Sequence, residues 1–211
     1  MVDVRVDGLV DVVVFDLGNV LIPWDRRRLY AKLIDDDAEL DHFLDTVLTM
    51  DVNASLDRGT PIQEVVDALI ARHDRAYHDL IQAFADRWPE TVDHAIAGSV
   101  ELLEALVDGG VPCYALSNWG RDTFELVEAR YPFLQRFAGR VISGYEGVVK
   151  PEPEIFELLC DRYGFAPRQA LFIDDSSANI TAAEQLGFAV HLFTDPPSLR
   201  RDLVARGLLA A

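Results

Sequence analysis

Four places in this 211-residue chain set reactive side chains directly after short apolar runs. "VVVF" runs into Asp16, with Gly18 and Asn19 following where a strand could have continued. "VPCYAL" is followed by Ser117 and Asn118, "RVIS" leads through "GYEGVV" to Lys150, and "ALFI" is followed by Asp174 and Asp175. A carboxylate able to act as a nucleophile, a hydroxyl, a cation and a pair of acids thus appear in order. Taken singly, most have ordinary explanations. An Asp after a strand caps a turn, and a Lys before Pro151 belongs at the surface. Two adjacent acids are harder to dismiss, because holding them together without a cation is costly.

Bringing these residues to one place requires a parallel sheet. Five apolar runs read as strands, at 12–15, 111–116, 140–143, 170–173 and 190–193. They lack polar alternation, as strands covered on both faces do. Helical patterns separate the last four. "SVELLEALVDGG" has Ser99 as its expected N-cap and Gly109 and Gly110 as its stop. "PEIFELLCDRYG" carries Pro153 in its first turn and ends at Gly164, and "SANITAAEQLG" ends at Gly187. Alternating strands and helices imply right-handed crossovers, and such sheets bind ligands beyond the carboxyl ends of their strands. All four reactive groups fall there.

The expected fold is therefore α/β: a Rossmann-like parallel sheet core with helices on both faces. Residues 24–91 hold no strand-like run but carry amphipathic patterns such as "DDAELDHFLDTVLTM" and "PIQEVVDALIARH". They are expected to form a small α-helical cap inserted after the first strand, leaving 1–23 and 92–211 as the core. "DPPSLRRDLVARGLLAA" reads as a final helix on an edge of the domain.

Composition narrows the function. Nineteen basic against thirty-six acidic residues give a net charge of −17, which argues against nucleic acid and anionic membranes. An anionic substrate then needs a metal ion or a local basic cluster. Cys113 and Cys160 lie in apolar segments and read as buried free thiols. His42, His73, His78 and His94 lie in polar sequence and read as surface residues. No run approaches the roughly 18 apolar residues of a membrane span, and "MVDVRVDGLV" lacks the apolar core of a signal peptide. A soluble, cytoplasmic protein is expected, as a monomer or homodimer.

"FDLGNVL", "LSN", "KPEPEIF" and "FIDDSSAN" resemble the four ordered motifs of the haloacid dehalogenase-like hydrolase superfamily. The resemblance covers nearly the whole chain and is nearest to a branch containing phosphatases of small sugar phosphates. It implies that Asp16 is a nucleophile forming an aspartyl-phosphate. It also implies Mg²⁺ held by Asp16, the Gly18 carbonyl and Asp175, with Asp174 a ligand directly or through water. Ser117 and the backbone at Asn118 would bind the transferred phosphoryl group, and Lys150 would neutralise charge during transfer. Asn179, four residues after Asp175 on one helical face, would hold a metal-bound water or Asp175.

Around this set stand weaker candidates. Trp24 and Arg121 are candidate substrate contacts. Of Arg26, Arg27 and Arg28, one or two could meet a phosphate or a substrate carboxylate, while at least two are expected to pair with the acids of "DDDAELD". "SLDRGTP" loosely resembles a cap loop facing the site in relatives. The pattern departs from the family at Gly18, where most phosphatases of the superfamily carry an Asp as general acid and base. Asp25 is a replacement acid only on a speculative reading; it is expected to cap the helix starting "RRRLY". The implied function is a Mg²⁺-dependent phosphatase for a small phosphorylated metabolite, such as a sugar 1-phosphate whose leaving oxygen departs easily. The rivals are a metal-independent 2-haloacid dehalogenase, disfavoured by Asp174 and Asp175, and a silent binding protein on the same fold.

Overall fold

The computed structural model describes residues 10–210; the amino-terminal decapeptide read above for a leader lies almost wholly outside them. Five parallel strands form one sheet in the order β3-β2-β1-β4-β5. They are β1 Val12–Phe15, β2 Cys113–Ser117, β3 Gly139–Ile142, β4 Ala170–Asp174 and β5 Ala189–Leu192. β1 is central, with Val14 opposite Tyr114 on one side and Phe172 on the other. From β1 the chain builds outward through β2 to β3, then crosses back to place β4 on the other side of β1. The crevice where this direction reverses opens at the carboxyl ends of β1 and β4, the general ligand site of such sheets.

Strand residues point alternately to the two faces, and each face has its own core. Val13, Phe15, Leu171 and Ile173 belong to one buried cluster, and Val12, Val14, Ala170 and Phe172 to the other. On the second face Phe156 packs between Phe172 and Phe188, with ring centroids 5.3 and 5.8 Å away. It is fully buried. Phe156→Ala should cost about 3–5 kcal/mol, measurable as a lower urea midpoint with an unchanged slope.

Five helices lie between β1 and the rest of the sheet: α1 Arg27–Tyr30, α2 Asp37–Thr46, α3 Met50–Asp57, α4 Ile62–Ile70 and α5 His78–Asp86. The segment leaves and rejoins the sheet through two strands of backbone lying side by side. Trp24 bridges Val92 in antiparallel fashion, and the Asp25 N–H donates to the Thr91 carbonyl at 2.8 Å. The insert's apolar residues, including Leu29, Phe43, Val66 and Phe84, join the same cluster as Val13 and Phe15.

Beyond the insert follow α6 Ala97–Asp108, α7 Arg121–Val127, α8 Ser143–Glu146, α9 Pro153–Tyr163, α10 Ser177–Gln185 and α11 Pro196–Ala205. α9 opens with Pro153 and stops at Gly164, which adopts φ +73°, a conformation open to glycine at little cost. Asp195 caps α11 by accepting the Ser198 N–H at 2.7 Å.

Two local expectations are corrected. Ser99 is not an N-cap, because α6 starts two residues earlier and carries Ser99 fully buried inside the helix. β5 is an edge strand, and its residues are partly exposed rather than covered on both faces. Cys113 and Cys160 are free and buried. No helix among the described residues is long and apolar enough to cross a membrane.

Candidate active site

The pairing of β1 with β4 continues one residue past the strand, since the Asp16 N–H donates to the Ile173 carbonyl at 2.8 Å. A tight loop then turns the chain away. The N–H groups of Leu21 and Ile22 both donate to the Leu17 carbonyl, at 2.9 and 2.8 Å. Asn19 sits at φ +53°, a region that Asn tolerates better than most residues. Its side-chain oxygen accepts the Trp24 N–H at 3.1 Å. The loop leaves Asp16 facing the crevice, almost fully buried.

Lys150 organises the centre. Its Nζ lies 2.9 Å from Asp16 Oδ1 and 2.6 Å from Asp174 Oδ2, and all three side chains are buried. Asn118 fixes the Lys150 backbone from both sides. Its Nδ2 donates to the Lys150 carbonyl at 2.9 Å, and its Oδ1 accepts the Lys150 N–H at 2.8 Å. Burial alone would lower the Lys150 pKa, but the charges of Asp16 and Asp174 outweigh it and hold the ammonium above the ordinary lysine value. Asp16 moves upward too: burial dominates and the like charge of Asp174 adds to it, against the pull of Lys150. The Ser117 hydroxyl lies near enough to favour the Asp16 anion. It stands outside good hydrogen-bond geometry, so its buried Oγ has no partner among the described residues.

The two acids after β4 divide their work. Asp174 Oδ1 accepts the Ser176 N–H at 2.8 Å and the Asn179 amide at 3.0 Å, while Oδ2 accepts Lys150 and the same amide at 3.1 Å. Each oxygen therefore already receives two donors, which is its normal capacity. Asp174 holds Lys150 in place while remaining within the same carboxylate cluster as Asp16 and Asp175. Asp175 is exposed, and its pKa is raised by burial of its carboxyl and by Asp174, with the Asn19 side chain opposing.

Oxygens of Asp16, Asp174 and Asp175 lie within 4.8 Å of one another. Asp16 Oδ1 is occupied by Lys150 and by the Leu17 N–H at 2.7 Å, leaving Oδ2 without a protein donor among the described residues. Asp16 and Asp175, with Gly18 beside them on the cavity wall, make a hard-oxygen donor set suited to Mg²⁺. Burial, and to a lesser degree the charge of Asp174, raises the pKa of both carboxylates, a cost to their anions that a divalent cation would relieve.

A cavity of about 160 Å³ opens over these residues. Its walls include Asp16, Gly18, Asn118 and Asp175 from the sheet edge, Asn53 and Asp57 from α3, and the rings of Trp24, Trp88 and Trp119. Trp24 therefore stands where the sequence suggested. Two other candidates do not. Arg121 is exposed at the start of α7, its guanidinium 5.0 Å from the centre of the Tyr145 ring, and it is not among the cavity's lining residues. Asn179 is buried, and its amide donates to Asp174 rather than to Asp175.

The arginines are also occupied elsewhere. Arg26 donates to the Leu44 and Leu48 carbonyls, Arg27 pairs with Asp41, and Arg28 pairs with Asp93. Only Arg27 meets an acid of "DDDAELD". Asp25 accepts the Arg27 N–H at 2.8 Å, but the N-cap position of α1 falls to Arg26, which makes no side-chain cap bond.

Asp57 escaped the sequence reading. A faint signal was present, since "SLDRGTP" loosely resembles a cap loop that faces the site in relatives, but nothing local distinguishes this Asp from the many on helix surfaces. In the structure it is part-buried, and Asn53 one turn earlier donates to its Oδ2 at 3.3 Å. Burial of the carboxyl is the main cause that pushes Asp57 up to about 7; the charge of Asp16 adds to it, while Lys150 and Asn53 oppose.

A five-stranded parallel sheet with a buried Asp–Lys–Asp centre at its carboxyl edge defines a class of hydrolase, and the comparisons agree. The family model for haloacid dehalogenase-like hydrolases matches residues 10–187. The chain belongs to this family. It is 24% identical over 191 residues to a sesquiterpene phosphatase of Aspergillus oryzae, covering 86% of this chain and 89% of that one. A bifunctional epoxide hydrolase of Rattus norvegicus is 29% identical over 98 residues; the match covers 45% of this chain and only 18% of that protein. Among solved structures, a HAD family enzyme of Bacteroides thetaiotaomicron in complex with magnesium and inorganic phosphate superposes with a TM-score of 0.65. It is 23% identical, covering 88% of this chain and 95% of that one, a likeness of fold.

Proposed function

We propose that this hydrolase is a Mg²⁺-dependent phosphatase acting on a small phosphorylated metabolite. The observation that carries the reading is one buried ammonium held between Asp16 and Asp174, with Asp175 free beside them. Attack by one anion on another needs nearby positive charge, and this site concentrates it at the nucleophile. Mg²⁺ held by Asp16, Asp175 and the Gly18 carbonyl would supply Lewis acidity toward the phosphoryl oxygens.

The remaining steps belong to the chain. One oxygen of the Asp16 carboxylate attacks phosphorus and forms an aspartyl-phosphate. Lys150 keeps Oδ1 in place and meets the charge that builds on the phosphoryl group. The Ser117 hydroxyl has a hydrogen bond to give, and the backbone at Asn118 lies beside it. The helical insert covers the carboxyl edge of the sheet and excludes water from the reacting group.

The cavity also bears on the substrate. No Lys or Arg is among its lining residues, so the substrate's charge is confined to the phosphoryl end next to Lys150. Three indole rings and a volume of about 160 Å³ favour a compact, uncharged leaving group with a flat or CH-rich face, such as a sugar.

Hydrolysis of p-nitrophenyl phosphate tests the reading: it should require Mg²⁺ and stop in EDTA. Independently of turnover, Mg²⁺ should raise the melting temperature of the resting protein by mass action. Asp175→Asn should abolish that rise. A protein that turns over the ester equally in EDTA, or that releases halide from 2-chloropropionate instead, overturns the proposal.

A further inference from the structure

A phosphatase of this design must protonate the oxygen that leaves phosphorus, and the chain has glycine where the superfamily places an acid for that task. Gly18 leaves real space rather than a filled wall, since a Cβ built there would meet no atom within 4 Å. The carboxylate nearest in role comes from outside the sheet. Asp57 ends α3 of the insert and lines the same cavity as Asp16 and Gly18.

Its position is fixed by contacts that only glycines permit. A Cβ on Gly120 would stand 2.9 Å from the Leu56 Cβ and 3.1 Å from the Leu56 carbonyl oxygen, so α3 meets the β2–α7 loop at backbone distance. Gly59, at φ +93°, is equally close to the other side: a Cβ there would lie 2.9 Å from the Gly144 carbonyl oxygen. Between them Arg58 reaches Glu152, just after Lys150, at 2.6 Å. Asp57 is thereby clamped to both the β2 loop and the Lys150 loop, with Asn53 on its Oδ2 and Oδ1 left over. Among the described residues it lies outside the carboxylate cluster that could share a cation, so its proton is not committed to a metal.

We infer that Asp57 is the general acid and base of the reaction, supplied by the insert in place of the missing acid at position 18. This rests on the phosphatase reading of the site. In the first half, one oxygen of the Asp16 carboxylate bonds to phosphorus as the P–O ester bond breaks. The electron pair goes to the ester oxygen, which takes the Asp57 proton and leaves as the alcohol. In the second half, the Asp57 carboxylate takes a proton from water as its oxygen bonds to phosphorus. The P–O bond to Asp16 breaks, its electron pair returns to the carboxylate, and Asp57 is protonated again. A carboxyl that titrates near neutrality suits both directions.

The test compares two esters of one shape but different leaving groups, phenyl phosphate and p-nitrophenyl phosphate. Phenolate is a poor leaving group, its parent acid near the tyrosine value of about 10, and needs a proton; p-nitrophenolate needs it far less. Asp57→Asn should lower kcat/KM, which reports formation of the aspartyl-phosphate and not its shared hydrolysis, by about 10²-fold or more for phenyl phosphate and by less than about tenfold for p-nitrophenyl phosphate. Asp57→Glu should recover part of the phenyl phosphate rate. The slower but persisting p-nitrophenyl phosphate turnover also reports that the variant is folded. An equal loss with both esters, or no loss with either, overturns the role of Asp57 while leaving the phosphatase intact. A wild-type protein inactive toward both esters overturns the phosphatase reading itself, and this role with it.

Discussion

Asp16→Asn should abolish turnover while leaving the protein folded and, above neutral pH, no less stable than the wild type. Removing a nucleophile costs on the order of 10⁴- to 10⁶-fold in kcat, because no other group can form the covalent intermediate. The stability result follows from linkage. In the folded, metal-free protein Asp16 is shifted from the ordinary 3.8 up to about 7, burial being the largest cause. A carboxyl raised by folding contributes stability that is fully present below its unfolded value and is lost as pH rises through the folded one. That loss spans about pH 4 to 7, and an asparagine does not titrate. Melting curves in EDTA at pH 5 and pH 8 should therefore show the wild type weakening more than the variant. Residual ester hydrolysis within about tenfold of wild type would remove Asp16 from the nucleophile's role.

Lys150→Met should damage both activity and stability. Asp16 and Asp174 would face each other in the interior without the ammonium that now sits 2.9 and 2.6 Å from them. Breaking a buried pair by deleting one partner typically costs about 3–5 kcal/mol, so the melting temperature should fall on the order of 10 °C. Loss of a charge aimed at the developing transition state should lower kcat by about 10²- to 10³-fold. A double variant separates the two effects. Adding Asp174→Asn removes one of the stranded anions and should restore much of the stability, but not the rate. Normal stability in Lys150→Met would mean that the triad does little to hold the carboxyl edge together.

The elements that carry the site were legible because they are local. Val12 to Phe15 is an apolar run ending in Asp16, and the structure makes the same four residues β1. Asp16, Lys150, Asp174 and Asp175 converge because parallel strands deliver their carboxyl ends to one edge. What the sequence could not show was how side chains partner across elements. Asn179 shares a helical face with Asp175, yet the turn into α10 brings Asp174 within its reach. At least two of the three consecutive arginines were expected to answer the acids of "DDDAELD", but the start of α1 spreads them toward a carbonyl pair, Asp41 and Asp93. Asp57 depended on something further from local sequence still: the packing of α3 against Gly120 and Gly144, which no periodicity encodes.

The apolar cluster that runs without a break from Val13 and Phe15 into Leu29, Phe43 and Phe84 sets a limit on motion. A hinged lid swings freely only when little apolar surface lies beneath it. Here, uncovering even about 200 Å² of that cluster would cost roughly 5 kcal/mol at about 25 cal/mol per Å². States opened that far would occupy on the order of one molecule in several thousand. Wide opening of the insert is therefore a rare event in this fold.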